Sequence, residues 1–181
     1  MIARVTAREH ELIAASRGGG GTMESPDKVA ALVEASRALA AIGAPHALVG
    51  GVAVGIRSGV PRATLDTDFA VYSTTDRASV VRALTDAGLA LKGQFPHSVN
   101  FRHRSGEPVQ LVFDAQFDPM IERAEPIAVG TTAVRVVTKA DLIAMKERAA
   151  ADPARRRSKA LRDAADAALL RGDVPDPDEG W

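Results

Sequence analysis

Gly50-Gly51-Val52-Ala53-Val54-Gly55, followed by Arg62-Ala63-Thr64-Leu65-Asp66-Thr67-Asp68-Phe69, are the stretches on which the reading of this chain turns. The glycine pair closes the short apolar run His46–Val49. Glycines at such a point let backbone N–H groups approach an anion closely. In an extended segment alternate residues share a face, so Asp66 and Asp68 would project together, about 6.6–7 Å apart along the backbone. Leu65, Thr67, Phe69 and Val71 would then face the core. A bland reading exists for each half: a tight strand-to-helix turn, and a solvent-facing strand edge that tolerates two acids. Against the second, both flanks are apolar and β-prone, and two like charges on one strand face repel unless something offsets them. A divalent cation would do so. A phosphate cradle beside a carboxylate pair is what metal-dependent phosphoryl or nucleotidyl transfer requires.

Composition narrows the alternatives. At 181 residues and 46% apolar content the chain is sized for one domain with an ordinary core. Lys plus Arg equals Asp plus Glu at 23 each, so contact with a nucleic acid would have to come from a local patch. Cysteine is absent, which excludes disulfides, thiolate catalysis and Cys-ligated zinc. The four histidines, His10, His46, His97 and His103, show no zinc spacing. No apolar run approaches the roughly 18–20 residues that span a bilayer, and Met1–Ser16 lacks the apolar segment of a secretory signal. The expectation is a cytoplasmic protein without a membrane partner.

Taken in order, residues 1–22 form a tail ending in Gly18-Gly19-Gly20-Gly21, and folding is expected to begin near Met23. Ser25 and Pro26 read as a helix start, with a helix from Asp27 to Ile42. His46–Val49 reads as a buried strand, with a two-turn helix after the glycines. Leu65–Tyr72 is the strand carrying the acids, and a helix from Thr75 to Ala87 follows. Strands are expected over 89–95, 97–103 and 107–113, a short helix over 118–124, and a strand or extended link over 132–137. Helices over 139–151 and 154–171 precede an acidic tail, 172–181. The class is α+β: a small mixed β-sheet with packed helices, comprising a core at 23–137 and a C-terminal helical portion at 138–171.

The glycines match neither G-x-G-x-x-G nor Walker A. Together, however, Gly50-Gly51, Arg62-x-Thr64-x-Asp66-x-Asp68, the stretch Lys139–Lys146, and Arg162-Asp163 with Asp166 resemble the polymerase-β-like nucleotidyltransferase superfamily. More narrowly, they resemble the minimal bacterial branch that includes AbiEii-like toxins of toxin–antitoxin pairs. That resemblance spans about residues 30–171. It implies transfer of a nucleoside monophosphate from an NTP to a hydroxyl acceptor. Asp66 and Asp68 would hold two Mg²⁺ ions, Gly50 and Gly51 the triphosphate, and Arg62, Thr64 and Lys146 the phosphates. The bland reading of Lys146 is a solvated lysine on an amphipathic helix. An antitoxin protein is the implied partner.

The superfamily's third carboxylate belongs on a later strand. Gln110 stands where related chains carry the acid, and an amide supplies neither charge nor base. Asp114 lies on the same face, about 13–14 Å further along. It is the candidate third catalytic and metal-binding acid if the strand is positioned or bulged to suit. Gln110 also keeps open a catalytically reduced nucleotide-binding or protein-interaction module on the same fold. Arg155-Arg156-Arg157-Ser158-Lys159, with Arg162 beyond, is the one concentrated basic patch in the sequence. It reads as a solvated helix face, with Arg162 and Asp166 as an i,i+4 pair, or as a phosphate-contacting surface for an RNA acceptor such as tRNA. Protein and small-molecule acceptors stay open.

Overall fold

The computed structural model describes residues 27–173. The expected starts at Met23 and Ser25, and most of the acidic tail, lie outside the described residues. Helix α1 spans Lys28–Ala41 and is capped by Asp27, whose side chain accepts from the Ala30 N–H. Strand β1 (His46–Val49) leads into α2 (Gly50–Ser58), which ends on Gly59 in the left-handed conformation. Strand β2 is Thr67–Val71, and α3 (Arg77–Asp86) is capped by Asp76. Then come β3 (Ala90–Phe95), β4 (Ser98–Arg102) and β5 (Pro108–Val112). A 3₁₀ turn over Ala115–Phe117 precedes α4 (Asp118–Arg123). Strands β6 (Glu125–Val129) and β7 (Thr132–Val136) form a hairpin, followed by α5 (Lys139–Ala151) and α6 (Arg157–Arg171).

The strands make one mixed sheet in the order β3-β4-β5-β2-β1-β7-β6. β2 lies antiparallel to β1 and parallel to β5, and β1 is parallel to β7. The α+β expectation holds. Because side chains alternate across a strand, paired residues sort into two faces. His46, Leu48, Thr67, Phe69, Val109, Leu111, Val99 and Phe101 share one face and are all buried. α1 covers this face, where Ser36 Oγ lies 3.0 Å from His46 Nε2, and the Arg77 guanidinium of α3 sits 4.8 Å above the Phe113 ring. Ser36, a polar interruption of the helix stripe, thus has a buried partner. Burial holds the His46 imidazole below its ordinary pKa, so this histidine is a neutral tie between α1 and β1.

The opposite face carries Asp68, Gln110 and Asn100 in one row across β2, β5 and β4, all half-buried. Their partial exposure marks the floor of a cleft. α2, α4 and α6 pack on this side: Gly50 against Asp68, Glu122 against the Tyr72 hydroxyl, and Asp166 against Arg62. Three expectations need correction. β2 begins at Thr67, and Leu65 is 84% exposed and turned away from the core, because the chain bends before the strand and breaks the alternation. β6 was not anticipated; Pro126 suits it because an edge strand does not need that N–H for the ladder. α6 starts at Arg157 rather than Ala154.

Candidate active site

Strand β1 delivers the chain to the cleft at Val49, and α2 begins at once on Gly50, whose φ is +70°. That left-handed backbone favours glycine, and space requires it too. A methyl group on Gly50 would lie 2.9 Å from Asp68 Cβ and Cγ and would overlap the carboxylate itself. On Gly51 it would come within 2.7 Å of Thr64 Oγ1 and collide with the Arg62 guanidinium. The two glycines are therefore the surface on which Asp68, Thr64 and Arg62 rest. Val49, the N-cap of α2, supplies no side-chain cap for the first N–H groups of that helix.

Asp68 faces Val49 across β1 and Gln110 across β5. Asp66 sits in the bend just before the strand, with Thr64 Oγ1 donating to its carbonyl at 3.3 Å. Burial first, and the negative charge of Asp66 second, push the Asp68 carboxyl up to about 7. The cations Lys146, Lys28 and Arg62 oppose that rise and do not cancel it. Burial thus favours the protonated Asp68 carboxyl, and the nearby cations offset that only in part.

Lys146 on α5 is buried, contrary to a solvated helix face. Its Nζ donates to Asp163 Oδ1 at 2.9 Å and lies 2.8 Å from Asp166 Oδ2. The second contact is ionic without hydrogen-bond geometry, and Oδ2 has no hydrogen-bond partner although it is fully buried. Arg62 donates through Nε to Asp166 Oδ1, and Arg155 donates to Asp163 Oδ2 at 2.5 Å. Two carboxylates three residues apart on one helix face thus hold three cations from three other segments. The expected Arg162–Asp166 pair is replaced by these contacts, and Arg162 is exposed. The anchoring role of Asp163 and Asp166 was not read from the sequence. Its signal was their spacing in step with the buried Ala167 and Leu170.

Asp114 is not brought to the pair. Gln110 is level with Asp68, and Asp114 lies four residues beyond, past the end of β5, where its carboxylate accepts from the Gln116 N–H and caps the 3₁₀ turn. Gln110 itself donates to Asn100 Oδ1 at 3.2 Å. Among the described residues no three acidic or imidazole side chains assemble as a metal-ligand group. Two carboxylates nevertheless fit Mg²⁺, which is usually held by one or two carboxylates while substrate phosphates and water complete the shell. An ion there would offset both the burial of Asp68 and its repulsion by Asp66.

Another buried acid, Glu107, lies at the same end of the sheet as Asp68 but on the other face. Glu107 accepts from Lys28 Nζ at 2.5 Å and from Thr67 Oγ1 at 3.3 Å. Its charge is matched, and it does not belong to the cleft. The exposed side of the α5–α6 corner carries Arg156, Arg157, Lys159 and Arg162, which make no ion pair among the described residues.

Comparison with known proteins places this geometry. No curated protein matches the sequence. Among solved structures, a lincosamide antibiotic adenylyltransferase, LnuA, in its lincomycin-bound form superposes with a TM-score of 0.57 at 11% identity, covering 83% of this chain and 99% of that one. An antigenic nucleotidyltransferase-like protein from Paracoccidioides brasiliensis gives 0.54 at 21% identity, with 86% and 81% covered. JHP933 from Helicobacter pylori gives 0.54 at 18%, with 82% and 68% covered. At these identities the likeness is one of fold. The family model described as nucleotidyl transferase AbiEii toxin, type IV TA system, matches residues 31–179. The glycine shelf, the acid pair and the buried Lys146 all fall inside that match, and the chain belongs to the AbiEii family of nucleotidyltransferases.

Proposed function

We propose that the protein transfers a nucleoside monophosphate from an NTP to a hydroxyl acceptor in a Mg²⁺-dependent reaction, with Asp66 and Asp68 as the metal-binding carboxylates. The observation that carries this reading is the seat of Asp68 directly on Gly50, at the start of α2, beside Asp66. Backbone N–H groups of Gly50 and Gly51 would hold triphosphate oxygens, and the carboxylates of Asp66 and Asp68 would hold the ion. When bound, the metal supplies charge stabilisation to the attacking and leaving oxygens. Lys146 and Arg62, fixed side by side by Asp166, supply positive charge from the flank of the cleft. Thr64 orients the turn that presents Asp66. Asp114 takes no part in this reading, because its carboxylate is committed to the 3₁₀ turn away from the pair.

The exposed cations of the α5–α6 corner support RNA, tRNA included, as the acceptor, since a row of arginines is suited to phosphate contacts. Family membership supports a toxin role opposed by an antitoxin protein. Incubation with labelled NTP, Mg²⁺ and total RNA should give labelled RNA. Asp66→Ala and Asp68→Ala should each reduce labelling by on the order of 10²–10³ or more. Unchanged labelling in either variant would overturn the assignment.

A second reading rests on Gln110. The residue level with Asp68 on the neighbouring strand is an amide bonded to Asn100, so the site lacks a third charge there. A nucleotide-binding module without transfer fits that observation. Calorimetry showing tight NTP–Mg²⁺ binding without transfer to any RNA, protein or small-molecule hydroxyl would select it. Gain of transfer in Gln110→Glu would show what the amide withholds.

A further inference from the structure

We propose that Ser105 is a self-modification site, a serine hydroxyl to which the cleft of a second copy transfers a nucleoside monophosphate; the proposal rests on the reading of the cleft as an NTP site. Ser105 stands half-buried in the tight turn between β4 and β5, just after the exposed Arg102 and Arg104. Its Oγ lies 2.8 Å from Nδ1 of the buried His103, and His103 Nε2 lies 3.0 Å from Glu34 Oε2 on α1. The backbone fixes the tautomer. The Ser105 N–H donates to Nδ1 at 3.2 Å, so Nδ1 is the acceptor and the ring proton sits on Nε2, which donates it to Glu34. The Asp27 N–H donates to Oγ at 3.0 Å, leaving the hydroxyl hydrogen for the imidazole. Glu34 is held in turn by Arg104. A hydroxyl, a neutral imidazole that can take its proton, and a carboxylate that orients the imidazole together make an activated serine.

The turn itself says which electrophile this serine meets. The Ser105 N–H is committed to His103 Nδ1 and the Gly106 N–H to the His103 carbonyl at 2.9 Å, so neither is free to stabilise an oxyanion as acyl transfer requires. A phosphorus centre already held by a transferase asks less of its acceptor: a hydroxyl and a place for the proton. The cleft has the complementary need. Gln110, level with Asp68, is an amide and cannot take a proton from an acceptor. His103 brings the base that this position lacks. The sheet separates that base from the acids of its own chain, since His103 meets Glu34 on the α1 side and Asp68 faces the other way. The step therefore runs between two copies. Ser105 Oγ attacks the α-phosphorus, the Oγ–P bond forms, the bond from that phosphorus to the bridging oxygen breaks, and pyrophosphate leaves. The hydroxyl proton passes to His103 Nδ1, and Glu34 steadies the imidazolium. The exposed guanidinium groups of Arg102 and Arg104 bring positive charge to the triphosphate.

Complementation between two variants of the full chain gives the direct test. Asp68→Ala keeps the serine and lacks a metal-binding acid, whereas Ser105→Ala keeps the cleft and lacks the serine. Mixed with labelled NTP and Mg²⁺, they should yield one added nucleoside monophosphate on Ser105 of the Asp68→Ala chain, located by mass spectrometry. Neither variant should be labelled alone. Adding His103→Gln to the Asp68→Ala chain should slow its labelling by about 10²-fold or more, the usual worth of a general base. As single changes, Ser105→Ala and His103→Gln should leave labelling of RNA unchanged, which also shows that both fold with a working cleft. Labelled RNA with no label on Ser105 would overturn the self-modification and leave the nucleotidyl-transfer reading standing. Undiminished labelling of the His103→Gln acceptor, or label that survives on Ser105→Ala, would do the same. If neither RNA nor protein is labelled, the transfer reading falls and the self-modification with it.

Discussion

Asp68 and Asp163 are aspartates withdrawn from water within one cluster of charges, yet their carboxyls are driven in opposite directions. Burial raises both. At Asp163 the hydrogen bonds and charges of Lys146 and Arg155 more than offset it, and the carboxyl is held below its usual range. At Asp68 the neighbouring charge of Asp66 adds to the effect of burial, and the carboxyl rises to about 7. The difference lies in who supplies the counter-charge. α6 was built with its cations in place, whereas the acid pair on β2 has been left short of them. A fold that can pair three cations with two acids on α6 shows that the shortage at β2 is not a failure of composition. On the proposed reading, Mg²⁺ brought with the nucleotide would meet that shortage.

The largest test of this contrast is on α6. Removing Asp166 strips Arg62 of its ion-pair partner and Lys146 of one of two. Loss of one member of a buried pair typically costs 3–5 kcal/mol, so Asp166→Ala should lower the urea midpoint by about that equivalent. A loss within about 0.5 kcal/mol would mean that the cations repack easily and that α6 does not fix them. Asp163→Asn should behave similarly at pH 7. Because the folded Asp163 carboxyl is lowered, the stability it contributes is present above the unfolded value near 3.8 and is lost as pH falls through the folded value. The deficit of the variant should therefore shrink in acid.

Asp68→Asn should do the reverse. Its folded carboxyl lies above the ordinary 3.8, so the fold favours the protonated form; stability is full below about 3.8 and is lost as pH rises through about 7. The interval corresponds to roughly 4 kcal/mol at most, and an asparagine in its place is expected to stabilise the metal-free protein by on the order of 2–3 kcal/mol at pH 8. That gain should vanish by pH 4. Millimolar Mg²⁺ with NTP should stabilise the native protein and not the variant, closing the gap. If Asp68→Asn is destabilising at pH 8 without metal, the acid pair is not under strain and the contrast with Asp163 fails.

Local patterns carried much of this architecture and little of its cross-talk. The glycine pair and Asp-x-Asp were legible because each is a short motif with its own geometry, and the structure joins them through Gly50 and Asp68. Thr138, which caps α5, and Gly106, in the turn between β4 and β5, are local signals of the same kind. The hold of Asp166 on Arg62 was not, since 104 residues separate them and nothing local marks a partner. Strand β6 escaped notice because Glu125-Pro126 opens it without a β-prone run. Asp114 shows the limit of a face rule: four residues along the strand preserved its side of the sheet but carried it beyond the end of β5.

Leu65 offers the smallest and most discriminating prediction about that rule. Alternation from Phe69 backward assigns it to the core, and the bend before β2 exposes it instead. A residue 84% exposed has almost no apolar area left to lose, so Leu65→Ser should change stability by no more than about 0.5 kcal/mol. Were the leucine inward, the same change would cost about 2–5 kcal/mol through cavity formation and a buried hydroxyl. Thermal unfolding separates the two outcomes without ambiguity. The result bears on the acids as well as on the leucine. A bend that turns Leu65 out also takes Asp66 off the regular strand, so the two carboxylates meet from a turn and a strand rather than from one rigid face. Their spacing is then set by Thr64 and its contact with Gly51, and Gly51→Ala should disturb the pair through Arg62 and Thr64. Loss of Mg²⁺ affinity measured without nucleotide in that variant, with Leu65→Ser unaffected, would locate control of the acid pair in the turn.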